Sequence, residues 1–255
     1  FVSGAVKALG GNRYEVAGRP LLGGMGIVYL CIDQQTDQPV ALKTFKSEYL
    51  PDRAARDRFL REGTAWVELG SHPHIVRCYR IEYFDPTTFL VLELIDREPG
   101  YDDASLRSWM DTPIQVNQTL LFALQIARAM KHATEKIPGF VHRDLKPENI
   151  LVGADKLPST DINRLRVTDF GLSTILKDIS GRLKGEEDWQ SIRRTHLTHG
   201  VIGTPVYMAP EQWKAAEFAI PTDIYALGCI LYEMVTGQHA ARGNNLKELR
   251  ESHCD

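Results

Sequence analysis

The most informative segment of this chain reads His142-Arg143-Asp144-Leu145-Lys146-Pro147-Glu148-Asn149. It places a carboxylate, a cation and an amide within one turn-like stretch. A carboxylate can orient a hydroxyl group and accept its proton, and an amide oxygen can ligate a hard cation such as Mg²⁺. A second carboxylate follows in Asp169-Phe170-Gly171. The apolar runs Ile150-Leu151-Val152 and Leu165-Arg166-Val167 predict a strand pair that brings the two segments together.

These segments resemble the catalytic motifs of eukaryotic-like (Hanks-type) protein kinases. The catalytic loop of that family has the form H-R-D-x-x-x-x-N, which this chain carries without a change. The resemblance implies that Asp144 is the catalytic base and that Asn149 and Asp169 ligate Mg²⁺. It also implies that Lys146 steadies the charge on the transferring phosphate, as in Ser/Thr kinases.

The resemblance implies an α+β, bilobal protein kinase fold. A small antiparallel β-sheet lobe with one main helix would span residues 14–95, after an N-terminal extension at 1–13. A larger, mostly helical lobe would span 96–255 and be incomplete at its C-terminal end. Either the domain continues after residue 255, with further domains beyond it, or the C-terminal lobe is shortened.

Hydrophobic patterning agrees with this layout. It predicts strands at 21–22, 27–32, 40–43, 75–76 and 89–94, helices at 52–69, 119–132, 223–235 and 245–252, and a surface loop at 177–200.

One apolar run, Val40-Ala41-Leu42-Lys43, matches the strand that carries the phosphate-binding lysine of the family. The resemblance makes Glu62 the ion-pair partner of Lys43, with Glu68 and Glu48 as alternatives. Without the resemblance, Lys43 reads equally as a solvated surface lysine.

The glycine-rich stretch Leu21-Leu22-Gly23-Gly24-Met25-Gly26 matches the family form G-x-G-x-x-G, with Leu21 in place of the first glycine. The remaining glycines, Gly23, Gly24 and Gly26, permit close approach of the backbone to phosphates. A plain turn also explains most glycine-rich runs of this kind.

The rest of the expected ATP site is apolar or acts through the backbone. The resemblance implies that ATP binds between the lobes, with hinge groups, a gatekeeper and a sandwich around the adenine ring. The hinge groups belong to Glu93 and Ile95, and the gatekeeper is Leu92. The sandwich around the adenine ring consists of Val28, Ala41 and Leu151. Ordinary core packing is equally compatible with the chemistry of the last three.

The segment Gly203-Thr204-Pro205-Val206-Tyr207-Met208-Ala209-Pro210-Glu211 matches the end of the family's activation segment. The resemblance implies that Thr204 contacts Asp144 and Lys146. It also implies that Asp223 braces the catalytic loop, although Asp223 reads equally as a helix N-terminal acid stabilised by the helix dipole.

The activation segment contains candidate sites of regulatory phosphorylation. Thr198 resembles the autophosphorylated position of bacterial members of the family, and Thr195 is the second candidate. A phosphate there could pair with Arg143 and order the loop. Each threonine is alternatively a plain surface residue.

Composition and charge exclude other classes of function. The formal net charge of -3 gives no electrostatic case for a nucleic-acid partner. No run approaches the roughly 18 apolar residues of a membrane span, and no signal-peptide pattern follows Phe1. The cysteines at 31, 78, 229 and 254 form no C-x-x-C pair, which argues against a zinc site or disulfide framework. We expect free thiols in a cytoplasmic protein.

Three functions are compatible with these motifs. The leading hypothesis is an ATP- and Mg²⁺-dependent protein Ser/Thr kinase acting on protein substrates. A pseudokinase that binds nucleotide with little turnover is the alternative, supported by Leu21 and the short C-terminus. A kinase of small molecules is the third, but the intact segment from Gly203 to Glu211 favours protein substrates.

Overall fold

The structure, a computed structural model, describes residues 8–22, 26–45, 53–84, 86–170, 205–213 and 219–254. The chain divides into two compact units. The first unit comprises Phe1–Gly70 and Arg77–Leu94, and the second comprises Ser71–Val76 and Ile95–Asp255.

The first unit contains an antiparallel sheet of seven strands in the described part of the chain. The strands are β1 (Ala8–Leu9), β2 (Tyr14–Val16), β3 (Leu21–Leu22), β4 (Gly26–Asp33), β5 (Gln38–Phe45), β6 (Cys78–Phe84) and β7 (Thr87–Glu93). Their order is β1-β2-β4-β5-β7-β6, with β3 paired to β4. The buried core of this sheet consists of Tyr14, Cys31, Val40, Leu42, Phe89 and Val91.

One helix, α1 (Arg53–Glu68), packs on this sheet. Phe59 and Trp66 are buried, and the ring of Phe59 lies 4.2 Å from that of Phe45. Gly63 allows the close approach, because a Cβ atom there would lie 2.6 Å from the Leu90 side chain. The helix predicted at 52–69 is confirmed to within one residue at each end.

The strand predicted at residues 75–76 is wrong. Ile75 forms only an isolated bridge with Val167 in the second unit, and the next strand of the sheet begins at Cys78. Ile75 and Val76 are buried and apolar, and a short apolar run looks the same whether it lies in a strand or in a connector.

Strand β6 was not predicted from the sequence, because it contains charged residues that find their partners within the folded sheet. Arg80 binds the nearly inaccessible carboxylate of Asp33 at 2.6 Å and Glu82 at 2.8 Å. Arg13, in the turn between β1 and β2, contacts the same two carboxylates at 3.1 and 3.0 Å. Asp33 and Arg13 are distant from β6 in sequence, so the sequence of β6 reads as polar rather than as a strand facing a core.

The second unit is largely helical. Its described elements are α2 (Val116–Lys136), β8 (Ile150–Lys156), β9 (Asn163–Val167), α3 (Pro210–Trp213), α4 (Ile220–Thr236) and α5 (Leu246–Cys254). Short 3₁₀ turns occupy Leu106–Trp109, Pro147–Asn149 and Pro205–Tyr207.

All three helices predicted for this unit exist, but α2 and α4 are longer than predicted. Helix α4 begins at Ile220, before the predicted start, because a proline in the first helical turn needs no N–H partner. It ends where Gly237 adopts a left-handed backbone with φ of 67°. Among the described residues, none of the helices combines the length and apolar character that crossing a membrane requires.

Candidate active site

The catalytic loop lies between α2 and β8 and draws three predicted residues together. The Asn149 Nδ2 group donates to the backbone oxygen of Asp144 at 2.8 Å and to its carboxylate Oδ2 at 3.0 Å. The Lys146 Nζ group lies 2.8 Å from the same Oδ2 atom. The carboxylate of Asp144 is therefore held in one orientation by an amide and an ammonium group.

The charge on Lys146 is stabilised by its surroundings. Burial of the ammonium group acts to lower its pKa, but the carboxylates of Asp144, Glu148 and Asp169 outweigh this effect and raise the pKa of Lys146. The lysine therefore stays cationic at neutral pH.

The strand pair β8–β9 joins the two acidic segments, as predicted. Ile150 pairs with Val167 in antiparallel register, and the Thr168 N–H donates to the Asn149 backbone oxygen at 2.9 Å. Asp169 follows at once, half-buried and with φ of 65°. A left-handed backbone is uncommon outside glycine, and such residues concentrate at functional sites.

Asp223 of α4 braces the catalytic loop. Its carboxylate accepts hydrogen bonds from the backbone N–H groups of His142 and Arg143, at 2.7 and 2.8 Å. Burial raises the pKa of Asp223, while these donors favour its ionised form. The His142 ring also lies 2.9 Å from the Thr168 backbone oxygen and packs edge-on to Phe170. The loop is therefore anchored to both α4 and the segment after β9.

In the first unit, four residues form one row across the sheet. Leu21 on β3 pairs with Val28 on β4, Val28 pairs with Lys43 on β5, and Lys43 pairs with Leu90 on β7. This register places Lys43 two residues from Ala41, which is buried and pairs with Leu92. The predicted phosphate-binding lysine and part of the predicted adenine pocket are therefore strand neighbours.

The carboxylate of Glu62 on α1 has both oxygen atoms buried, whereas Glu68 is exposed. Buried charges are normally paired, so this difference favours Glu62 over Glu68 as the partner of Lys43. The third candidate, Glu48, lies outside the described residues.

The first hinge residue already makes hydrogen bonds within its own unit. The Glu93 N–H donates to the Arg77 backbone oxygen at 2.8 Å, and the Glu93 carboxylate accepts from the Arg77 N–H at 3.1 Å. The adjoining Ile95 is half-buried. Glu93 is therefore held at the end of β7 by the residue that precedes β6.

Comparison with known proteins decides the family. A model described as a protein kinase domain matches residues 21–255. This chain belongs to the protein kinase family. The predicted Hanks-type family and bilobal α+β fold are confirmed.

Bacterial kinases are among the relatives of this kinase domain. The probable serine/threonine-protein kinase PknB of Lactococcus lactis is 30% identical over 249 residues, covering 94% of this chain and 35% of that protein. The serine/threonine-protein kinase PrkC of Bacillus subtilis is 31% identical over 244 residues, covering 95% and 33%. PknB of Mycobacterium leprae is 28% identical over 248 residues, covering 95% and 35%. The kinase domain spans about a third of the length of these curated relatives.

The donor set of the kinase domain fits a divalent cation that binds together with nucleotide. Among the described residues, no group of three or more His, Cys, Asp or Glu side chains could hold a metal ion. Mg²⁺ is usually bound through one or two carboxylates together with phosphates and water. Because the Asn149 Nδ2 group faces Asp144, its Oδ1 atom is the one that could ligate such a cation, with Asp169 as the candidate carboxylate ligand.

A partly buried ionic cluster beside the catalytic loop was missed from the sequence. Arg107 donates to Glu233 at 2.7 Å and to Glu148 at 3.0 Å, and its guanidinium also contacts the Tyr207 hydroxyl. Burial favours the neutral form of Glu233, but hydrogen bonds from His239, Arg107 and Tyr207 outweigh it and lower the pKa of Glu233 to about 2. Arg107 and Glu233 are 126 positions apart, so no local pattern signals their contact.

Several predicted residues lie outside the described part of the chain: Gly23, Gly24, Thr195, Thr198 and Thr204. Glu211 is described, and its carboxylate accepts a hydrogen bond from the Thr222 hydroxyl at 2.6 Å. This contact ties the end of the activation segment to the start of α4.

Proposed function

We propose that this domain transfers the γ-phosphate of Mg·ATP to serine or threonine hydroxyl groups of protein substrates. Protein kinases use ATP and a divalent cation and act on proteins; the choice of Mg²⁺ belongs to the proposal. The names of the relatives support serine and threonine as acceptors. The observation that carries the proposal is the fixed carboxylate of Asp144 between Lys146 and Asn149.

In this proposal Asp144 positions the attacking hydroxyl group. Its Oδ2 atom is engaged by Lys146 and Asn149, so we assign Oδ1 as the atom that accepts the hydroxyl proton. The hydroxyl oxygen forms a bond to the γ-phosphorus, the bond to the β–γ bridging oxygen breaks, and ADP leaves. The ammonium group of Lys146 neutralises negative charge on the phosphoryl group as it transfers.

The remaining residues of the proposal bind and orient the nucleotide. Asn149 and Asp169 would hold Mg²⁺, which supplies neutralisation of phosphate charge. Lys43 contacts the phosphates and is oriented by Glu62. Catalysis of this kind consists mostly of placement and charge stabilisation, so it depends on the rigidity of the catalytic loop.

The test is transfer of labelled γ-phosphate with Mg²⁺, comparing the wild type with Asp144→Ala and with Asp161→Ala. Asp161 is exposed in the connection between β8 and β9, at the end of the strand pair away from Ile150 and Val167, so its variant controls for loss of a surface carboxylate. We expect label on serine or threonine in the wild type and in Asp161→Ala, and loss of at least about a thousandfold in Asp144→Ala. Wild-type turnover in Asp144→Ala refutes the proposed base. No transfer by any of the three, with ATP still bound, favours the pseudokinase alternative.

Regulation by phosphorylation of Thr198, with Thr195 as second candidate, belongs to the same proposal. Mass spectrometry of the autophosphorylated domain tests it, and an unmodified segment from 171 to 204 contradicts it.

The cytoplasmic location, the absence of a nucleic-acid partner and the further domains expected from the sequence stay predictions.

A further inference from the structure

The residue before the proposed base has an unfavourable backbone conformation. Arg143 has φ of 68°, in the left-handed region that disfavours residues with a Cβ atom. Such a conformation persists only where neighbouring groups hold it. The contacts that hold Arg143 therefore decide how the next residue, Asp144, is presented.

Side chains from two later helices bind both backbone groups of Arg143. Its N–H donates to the Asp223 carboxylate on α4 at 2.8 Å. Its carbonyl oxygen accepts from the Gln212 Nε2 group on α3 at 2.9 Å. Gln212 is 69 positions away in sequence, and the catalytic motifs gave no reason to select it.

The orientation of the Gln212 amide follows from its two partners. Its Oε1 atom accepts from the Ala209 N–H at 2.9 Å, while its Nε2 group donates to the Arg143 carbonyl. A backbone N–H can only donate and a carbonyl can only accept, so a flipped amide would lose both bonds. With a glutamate at position 212, a carboxylate oxygen would face the Arg143 carbonyl oxygen and could not donate a hydrogen bond to it.

We propose that Gln212 is a positioning residue for Asp144, an inference that rests on the function proposed above. The Arg143 carbonyl belongs to the same planar peptide unit as the Asp144 nitrogen. Holding that carbonyl therefore fixes the plane from which the Asp144 side chain projects. The position of the catalytic base thereby depends on the docking of α3, the short helix that contains the end of the activation segment.

The experiment compares Gln212→Glu and Gln212→Met with the wild type and with Gln115→Glu. Gln115 is exposed, and its side chain makes no cap hydrogen bond at the start of α2, so it is a matched control for the change from amide to carboxylate. The measurements are kcat and KM for ATP, the melting temperature, and hydrogen exchange of peptides covering residues 142–149.

Because Gln212 acts through Asp144, its loss lowers kcat and not nucleotide affinity. We expect kcat to fall about tenfold in Gln212→Met and further in Gln212→Glu, with KM for ATP within about twofold of wild type. Exchange at 142–149 increases in both variants, and Gln115→Glu matches the wild type in every measurement.

Unchanged kcat and unchanged exchange in Gln212→Glu overturn the inference. So does a loss of activity that follows a lowered melting temperature without a selective effect on kcat. If the wild type itself transfers no phosphate, the proposed function fails. The exchange measurement then decides alone, with increased exchange supporting the coupling of α3 to the loop and unchanged exchange refuting it.

Discussion

At the scale of single residues, the site concentrates conformational strain beside its charged groups. Arg143 and Asp169 both have positive φ, at 68° and 65°, and neither is a glycine. Each such residue costs roughly 1–3 kcal/mol and persists only where its surroundings hold it. Arg143 is held by side chains of the second unit through both backbone groups, so local strain is offset by long-range hydrogen bonds.

Gly26 illustrates a residue whose role the sequence left open. A Cβ atom there would lie 2.8 Å from the Thr44 backbone oxygen across the β4–β5 pair. We predict that Gly26→Ala lowers the free energy of unfolding by about 1–3 kcal/mol, since backbone atoms cannot move aside cheaply. Urea denaturation followed by circular dichroism measures it.

The matched control is Gly228→Ala in the interior of α4, where an added Cβ atom meets nothing within 4 Å. That variant should be neutral or more stable by up to about 1 kcal/mol, because alanine favours the helix. Equal effects of the two substitutions contradict the steric role of Gly26.

At the scale of elements, a histidine cluster attaches the connector at 71–76 to α2. The ring of His72 stacks on that of His132 at 4.5 Å, and its Nδ1 atom accepts from the His74 N–H at 3.2 Å. Burial, and then the nearby His132, His74 and Arg128, lowers the pKa of His72 to about 4. Protonation of His72 at Nδ1 would remove the acceptor.

This cluster predicts a pH dependence of stability. The unfolded chain takes up a proton on His72 near its ordinary pKa of 6.5, whereas the folded chain does not until about pH 4. The contribution of His72 is therefore complete above about pH 6.5 and is lost as the pH falls towards 4. We predict a smaller decrease in unfolding free energy between pH 7 and pH 5 for His72→Gln than for the wild type. Urea titrations at both pH values measure it.

The dependence of the unfolding free energy on pH should be weaker in His72→Gln than in the wild type, but it should not disappear. Burial also lowers the pKa of His74 and His253, so the titration of these two histidines changes stability in the same direction. Identical slopes in variant and wild type contradict the assignment to His72.

At the scale of the whole molecule, the two longest helices described in the second unit, α2 and α4, present apolar side chains to solvent. Ile224 on α4 is 63% exposed and Leu120 on α2 is 60% exposed. An amphipathic helix normally buries such residues. The sequence left open whether the domain continues after residue 255 or is shortened.

We predict that Ile224→Ser changes the free energy of unfolding of the 255-residue chain by less than about 0.5 kcal/mol, because the side chain is exposed. Denaturant titration measures it, with Ile230→Ser as a buried contrast. In a longer polypeptide whose added helices cover α4, the same substitution should cost at least about 1 kcal/mol. A large cost in the 255-residue chain itself contradicts the exposed position of Ile224.

The sequence by itself determined the family and the bilobal fold class, and it singled out the residues that the proposed function places in the site. These follow from local information: the contiguous motif at 142–149, the acidic residue at 169, and helices whose apolar periodicity is strong. Pairing of β8 with β9 was also predictable, because the two strands are short apolar runs close together in the chain.

Only the tertiary structure decided which distant side chains hold that site in place. The contacts of Gln212 and Asp223 with the catalytic loop, and of Arg107 with Glu233, span 69 to 126 positions. The polar strand β6 depended likewise on Asp33, 47 positions from Arg80. Periodicity and motifs report what a residue does with its neighbours in sequence, whereas a buried charge finds its partner only when the whole chain has packed.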